Sequence, residues 1–325
     1  MSQVLRVENL RTTFRIYGGT VYPLDEVTFA IREGETLGMV GETGSGKSVT
    51  ALSIMRLIEP PGEIVGGQVL LEGEDLLTKS EEEMRKIRGS KIAMIFQDPM
   101  TSLDPVYRIG DQIAEVLMLH QRMDRSKALE RAVELLAAVG IPSPGRVSRM
   151  YPHEASGGIK QRAMIAMALS CQPRLLIADE PTTALDVTVE AQIIELMRRL
   201  KNETKSSILF ITHNLGVVAQ FCDKVVVMYA GSVVESAPVS DLFSSPLHPY
   251  AKGLLESIPR IDRKRRLLPI IQGNVPSMTS PPSGCRFHPR CPHAMPRCKI
   301  KKPMLKEAQP GHFVSCFLFD EESKP

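Results

Sequence analysis

Over about the first forty positions apolar and polar residues alternate, and "VLRVENL", "EVTFAI" and "TLGMVG" predict short strands separated by turn formers. The third runs into the glycine-rich "GETGSGKS" and then into "VTALSIMRLI", whose apolar spacing is that of a helix. "QVLLEG" and "KIAMIFQ" predict two more strands, with an acidic-then-basic helix, "SEEEMRKIR", between them. From about residue 98 to 155 the pattern turns helical, because "IGDQIAEVLMLH" and "SKALERAVELLAAVG" carry apolar residues at i, i+3, i+4 and i+7. "RLLIADEP" is a continuous apolar run closed by acids and a proline, as for a strand covered on both faces. A helix ("TVEAQIIELMRRLK"), a strand ("SSILFITH"), a further helix and a hairpin-like "KVVVMYAGSVVES" complete the alternation. This order predicts an α/β sandwich around a largely parallel sheet, with a helical insertion in the middle. After about residue 245 the text shifts to proline, histidine, basic residues and cysteine, and a boundary is expected there.

Composition narrows the class. With 325 residues, 43% of them hydrophobic and 24% charged, the chain can build one large domain or two ordinary ones. A net charge of +3 gives no support to a role in coating nucleic acid. The N-terminal stretch has no signal-peptide core, and no window reaches the ~18 uninterrupted apolar residues of a membrane helix. A cytosolic location is expected, and structural disulfides are rare there.

The strand–loop–helix context gives "GETGSGKS" its meaning. Gly41, Glu42, Thr43, Gly44, Ser45, Gly46, Lys47 and Ser48 fit G-x-x-x-x-G-K-[ST] in full, with Val49 continuing into the helix. The glycines let backbone N–H groups wrap a triphosphate, and the helix adds its positive end. Lys47 reaches the β- and γ-phosphates and the Ser48 hydroxyl ligates Mg²⁺. The acidic partner is "RLLIADE": Asp179 ends a buried strand and suits the Mg²⁺ site, and Glu180 is placed to act as general base on the attacking water. Between these motifs Ser156-Gly157-Gly158 opens a long helix, a second anion-binding device. Two such devices in one site are redundant unless the second faces the nucleotide of another subunit.

The order of motifs resembles the ATP-binding subunits of ABC transporters. Gly41–Ser48, Gln97 in "IFQDP", the "SGG" helix, Asp179-Glu180, "ALD" at Ala184–Asp186 and His213 in "FITHN" stand in the family's sequence, over residues 1 to about 245. The resemblance implies an ABC ATPase fold with a RecA-like P-loop core, an N-terminal antiparallel β subdomain and a helical signature subdomain at about 98–165. It also implies a head-to-tail dimer that sandwiches two ATP molecules, each between one phosphate loop and the other subunit's signature. Gln97 is then the residue that senses Mg²⁺ and the γ-phosphate and links to the membrane subunits. His213 contacts the γ-phosphate, and Asp186 crosses the dimer interface. Taken singly, these three are more simply a strand-end glutamine, a strand-end histidine and a turn aspartate. The usual signature L-S-G-G-Q reads Ala155-Ser156-Gly157-Gly158-Ile159 here, so the site using it is expected to work less well than its mate. The aromatic that stacks on adenine is Tyr17 or Tyr22, with Tyr17 preferred.

"HPYAKGLL" and the tail "SGCRFHPRCP" resemble the C-terminal extension of dipeptide and oligopeptide importer ATPases, which places a small Cys-rich extension at 246–325. The implied partners are a second, non-identical ABC ATPase, two transmembrane permease subunits and an extracytoplasmic substrate-binding protein, with no nucleic acid. The implied location is peripheral, on the cytoplasmic face of the inner membrane. A nickel or other small-solute importer is the alternative cargo reading. A soluble ABC-type ATPase acting on DNA or ribosomes is the more distant one, disfavoured by a single cassette without a heptad run. The basic "RKRR" reads as an exposed linker or as a contact with acidic headgroups. Cys285, Cys291, Cys298 and Cys316 suggest a thiolate site for an iron–sulfur cluster or Zn²⁺. No tight C-x2–4-C pair occurs, which favours the cluster, and members of the resembled group carry a [4Fe–4S] centre here. His288, His293 and His312 are nearby alternative ligands, and Cys171 and Cys222 are expected to be plain buried cysteines.

Overall fold

The computed structural model describes residues 2–98, 102–183, 186–258 and 270–320, with the backbone alone at 187. Ala184, Leu185 and the "RKRR" segment lie outside the described residues. The chain gathers into two compact units, one of Met1–Val4, Ile31–Glu35 and Thr78–Ile211, the other of Leu5–Ala30, Thr36–Leu77 and Thr212–Pro325.

In the first unit β6 (Ile92–Ile95), β7 (Leu175–Asp179) and β8 (Ser207–Ile211) run parallel, with Ile92 opposite Leu175 and Leu175 opposite Ser207. Every residue of β7 and β8 is buried, which is why both read as unbroken apolar runs. The helices are α2 (Glu81–Ile87), α3 (Ile109–Gln121), α4 (Arg125–Ala138), α5 (Pro144–Val147), α6 (Gly157–Leu169) and α7 (Val187–Thr204). α2 starts at a capping box, in which Ser80 accepts from the Glu83 N–H and Glu83 accepts from the Ser80 N–H. Asp124 caps α4 by a single bond, accepting from the Lys127 N–H at 3.1 Å.

The second unit contains a four-stranded sheet in the order β2 (Gly19–Arg32), β1 (Gln3–Ile16), β4 (Gly62–Leu71), β5 (Glu74–Asp75). β1 and β4 are antiparallel, as the family resemblance implies. It also contains β3 (Thr36–Val40), fully buried and parallel to β9 (Lys224–Tyr229), which forms an antiparallel hairpin with β10 (Ser232–Pro238). Its helices are α1 (Lys47–Ile54), α8 (Leu215–Phe221), α9 (Val239–Ser244) and α10 (Pro249–Glu256). α1 is shorter than its apolar spacing predicts. Arg56 turns left-handed (φ 51°), and the Pro60-Pro61 pair beyond it cannot continue a helix.

Sequence periodicity gave no sign of two strands in the tail. β12 (His312–Val314) pairs antiparallel with β10, and β11 (Lys306–Gln309) with β12, so the cysteine-bearing tail continues the sheet of β3, β9 and β10. A buried carboxylate fastens it. Glu235, 0% exposed, accepts from the N–H groups of Leu247 (2.8 Å) and His248 (2.7 Å) and lies 2.7 Å from His312 Nε2. One side chain thus ties β10, the entry to α10 and β12 together. Glu235→Ala orphans two buried N–H groups and an imidazole, and costs about 3 kcal/mol. Calorimetry of this variant should show an earlier unfolding transition, with limited proteolysis releasing the tail first. An unshifted transition would show that Glu235 carries no such role.

Candidate active site

β3 delivers its C-terminal end to the loop at Gly41, and α1 leaves it at Lys47. The loop passes close to neighbouring backbone, so the glycines are required by space as well as conformation. A Cβ on Gly41 would sit 2.2 Å from the Met228 carbonyl, and one on Gly46 (φ 101°) 2.6 Å from that of Pro23. Gly46, in the left-handed region, caps α1 without a side-chain bond, so the helix starts directly at the loop. Lys47 is buried, and its ammonium donates to the loop's own carbonyls at Gly41 (2.9 Å) and Glu42 (3.2 Å). The Ser45 hydroxyl is buried and has no hydrogen-bond partner among the described residues. A cradle with an orphaned donor and an ammonium resting on its own rim fits a polyanion. Thr43 and Gly44 are exposed at the tip, and Ser48 and Val49 are half-buried.

Two further expected residues belong to the same unit. Tyr17 is fully exposed at the turn between β1 and β2, whereas Tyr22 is partly covered and its N–H donates to the Met278 carbonyl at 2.9 Å. The freer ring is that of Tyr17. His213 is exposed between β8 and α8, beside Asn214, whose Oδ1 caps α8 by accepting from the Gly216 N–H at 3.0 Å.

The other unit carries the acidic groups. Asp179 is buried at the end of β7. Glu180 follows in the left-handed region (φ 46°), rare for a residue with a Cβ, and its N–H donates to the Ile211 carbonyl at 2.9 Å. This turn directs the carboxylate out of the strand register. Its Oε2 accepts from Gln97 Nε2 (3.1 Å) and the Thr183 hydroxyl (2.9 Å). Sequence reading singled out Gln97 and Glu180 separately; the structure brings them into contact. It missed Thr183, and it missed Gln161 on α6, whose buried amide donates to the Pro181 carbonyl next to Glu180. Both are short polar residues in stretches whose pattern signals only a turn or a helix.

Ser156 is the N-cap of α6 with no side-chain bond of its own, and Ser156 and Gly157 are exposed, so this helix start is likewise open to an anion. Ala155 is buried and Ile159 half-buried. Asp186 caps α7, accepting from the Val189 N–H at 2.9 Å.

The four-thiolate site finds no support in the side-chain placement: among the described residues no group of three or more His, Cys, Asp or Glu is placed to hold a metal ion. No disulfide replaces it, because Cys285, Cys291, Cys298 and Cys316 are all free thiols. Burial, with Cys298 and Cys291 adding, pushes the Cys285 thiol up to about 11. Burial, with the other three thiols adding, pushes Cys316 up to about 11 as well. His312 is committed to Glu235, and His288 Nδ1 lies 2.9 Å from the Cys285 carbonyl. Cys222 is buried as expected, and Cys171 is half-buried.

A phosphate loop on a strand–helix turn, a strand-end Asp-Glu pair and a serine-glycine-glycine helix start define a P-loop ATPase of the cassette type. Comparison with known proteins agrees. Residues 24–183 match the family described as ABC transporter, and residues 234–298 match the one described as oligopeptide/dipeptide transporter, C-terminal region. The chain is 52% identical to the oligopeptide transport ATP-binding protein AppD of Bacillus subtilis (strain 168), over 99% of this chain and 98% of that one. It is 50% identical to the oligopeptide transport ATP-binding protein OppD of Escherichia coli (strain K12), over 98% and 94%. Its fold matches the dimeric, post-hydrolysis structure of the ATP-binding cassette MJ0796 bound to ADP and Pi, with TM-score 0.66, 27% identity, and 72% and 98% of the two chains covered. The chain therefore belongs to the ABC transporter ATP-binding subunits, in the group that carries the oligopeptide/dipeptide transporter C-terminal region.

Proposed function

We propose that this chain is the ATP-hydrolysing motor of a membrane importer for dipeptides or oligopeptides. The observation that carries the reading is the union, in one chain, of a cassette and the oligopeptide/dipeptide C-terminal region over 234–298. The cassette occupies 1–245 and the extension 246–325. Gly41 to Val49 cradle the triphosphate, with Lys47 on its terminal phosphates, and Tyr17 stacks on the adenine. Ser48, Asp179 and Gln97 offer the hard oxygen donors that suit Mg²⁺, which neutralises charge developing on the phosphates. Glu180 orients the attacking water and takes its proton, and His213 contacts the γ-phosphate. Ser156, Gly157 and Gly158 bind the nucleotide held by a partner ATPase, and Asp186 lies at that interface. The partner is a second, non-identical ATPase, and the pair drives two permease subunits fed by an extracytoplasmic binding protein. Among the described residues no helix is long and apolar enough to cross a membrane. The chain is held at the cytoplasmic face by the permease subunits.

A nickel or other small-solute cargo is the second reading. Uptake of labelled dipeptide, longer peptide and nickel by a strain deleted for this chain separates the two. Loss of peptide uptake is expected; loss of nickel uptake alone would overturn the peptide reading.

For the tail, the free state of all four thiols and the thiolate chemistry they offer support a metal centre on Cys285, Cys291, Cys298 and Cys316. A [4Fe–4S] cluster is preferred and Zn²⁺ is the alternative. Anaerobic purification should yield about four irons and four sulfides per chain. Stoichiometric zinc without iron would overturn the cluster.

A further inference from the structure

The side chain of Arg290, between Cys285 and Cys291, is only 6% exposed and ends on the phosphate loop. Its guanidinium donates to both carboxylate oxygens of Glu42, NH1 to Oε2 at 2.9 Å and NH2 to Oε1 at 3.2 Å. The other donors are used as well: Nε reaches the Gln272 carbonyl (3.0 Å), NH2 that of Ile271 (3.2 Å) and NH1 the Tyr229 hydroxyl (3.4 Å). A guanidinium with every N–H committed has one position, so the carboxylate it grips has one position too. The backbone of Glu42 is held separately, its N–H donating to the Tyr250 hydroxyl at 2.9 Å. Tyr250 is fully buried and packs at 4.6 Å from Tyr229, with Phe287 edge-on to Tyr229 at 5.1 Å. Arg286, one residue before Phe287, donates to the Ala230 carbonyl, and the next residue, Gly231, gives its N–H to the Ser45 carbonyl of the loop at 2.9 Å.

We infer that Arg290 is a positioning residue for ATP: with Tyr250 it holds Glu42, and through Glu42 it keeps the phosphate loop in its nucleotide-binding form. Glu42 therefore serves the loop's shape, since its N–H and carboxylate are both committed to the C-terminal region. The consequence is that the tail, remote in sequence, sets this chain's affinity for nucleotide. The inference rests on the reading of Gly41–Ser48 as the triphosphate cradle.

The test uses the full-length chain in its membrane complex. Arg290→Ala should raise KM for ATP about tenfold, with kcat changed less than about twofold, as for lost uniform binding. Arg290→Lys keeps the charge without the fork and should recover part of the loss. Glu42→Gln combined with Arg290→Ala should be no worse than the worse single variant, because the two act through one contact. Lys306→Ala, which removes an exposed tail ion pair, should leave KM unchanged. If Arg290→Ala fails to fold, Tyr250→Phe removes the other hold and should raise KM in the same way. An unchanged KM in Arg290→Ala, or in Tyr250→Phe where that variant stands in for it, overturns the inference, as do multiplying effects in the double variant. Nucleotide binding retained by Lys47→Ala would instead overturn the cradle.

Discussion

Glu180→Gln will bind ATP and fail to hydrolyse it. The amide matches the carboxylate in shape and can still accept from the Thr183 hydroxyl, which donates to Oε2 at 2.9 Å, so the left-handed turn at φ 46° has no reason to rearrange. What it cannot do is accept a proton from the attacking water. Loss of a positioned general base costs about 10²- to 10⁴-fold in rate. Phosphate release by the assembled complex should fall into that range, while ATP affinity stays within about threefold of the original. A closed, ATP-loaded dimer should then accumulate. Normal turnover would remove Glu180 from the chemistry.

Lys47→Ala will lose the nucleotide itself. The buried ammonium now rests on the carbonyls of Gly41 and Glu42 and is the one lysine of the loop. Charge-assisted bonds to phosphate oxygens are worth about twice neutral ones, and two phosphates would lose theirs together, so ATP affinity should drop by at least about a hundredfold. Equilibrium binding of a fluorescent ATP analogue to the full-length chain reads this directly. A dissociation constant within about threefold of the original would contradict the assignment of the loop.

Local devices were legible in the sequence. The phosphate loop, the buried run at β7 and the capped helices α2 and α4 each depend on residues within a few positions of one another, and the pattern exposes them. The tail was not legible, because what orders it is distant. β12 spans three residues, too few for periodicity, and finds its place by pairing Val314 with Glu235. Glu235, a lone acid in "VVES" that no local motif singles out, is fully buried. The Glu42–Arg290 pair joins residues 248 positions apart. The cysteines drew attention as ligands, yet the residues between Cys285 and Cys291 do the visible packing, with Phe287 against the tyrosines and Arg290 on the phosphate loop. At the acidic pair the sequence supplied Gln97 and Glu180 but not Thr183 or Gln161, whose contacts exist only once the strand and helix are folded.

The central claim is that ATP hydrolysis by this chain drives peptide inward. It is tested most directly by uptake of radiolabelled peptide into proteoliposomes holding the full complex, with binding protein outside and ATP on the motor side. The account predicts uptake that requires ATP and disappears in Glu180→Gln while ATP remains bound. Peptide uptake that persists in Glu180→Gln, or hydrolysis that never moves peptide, would contradict it.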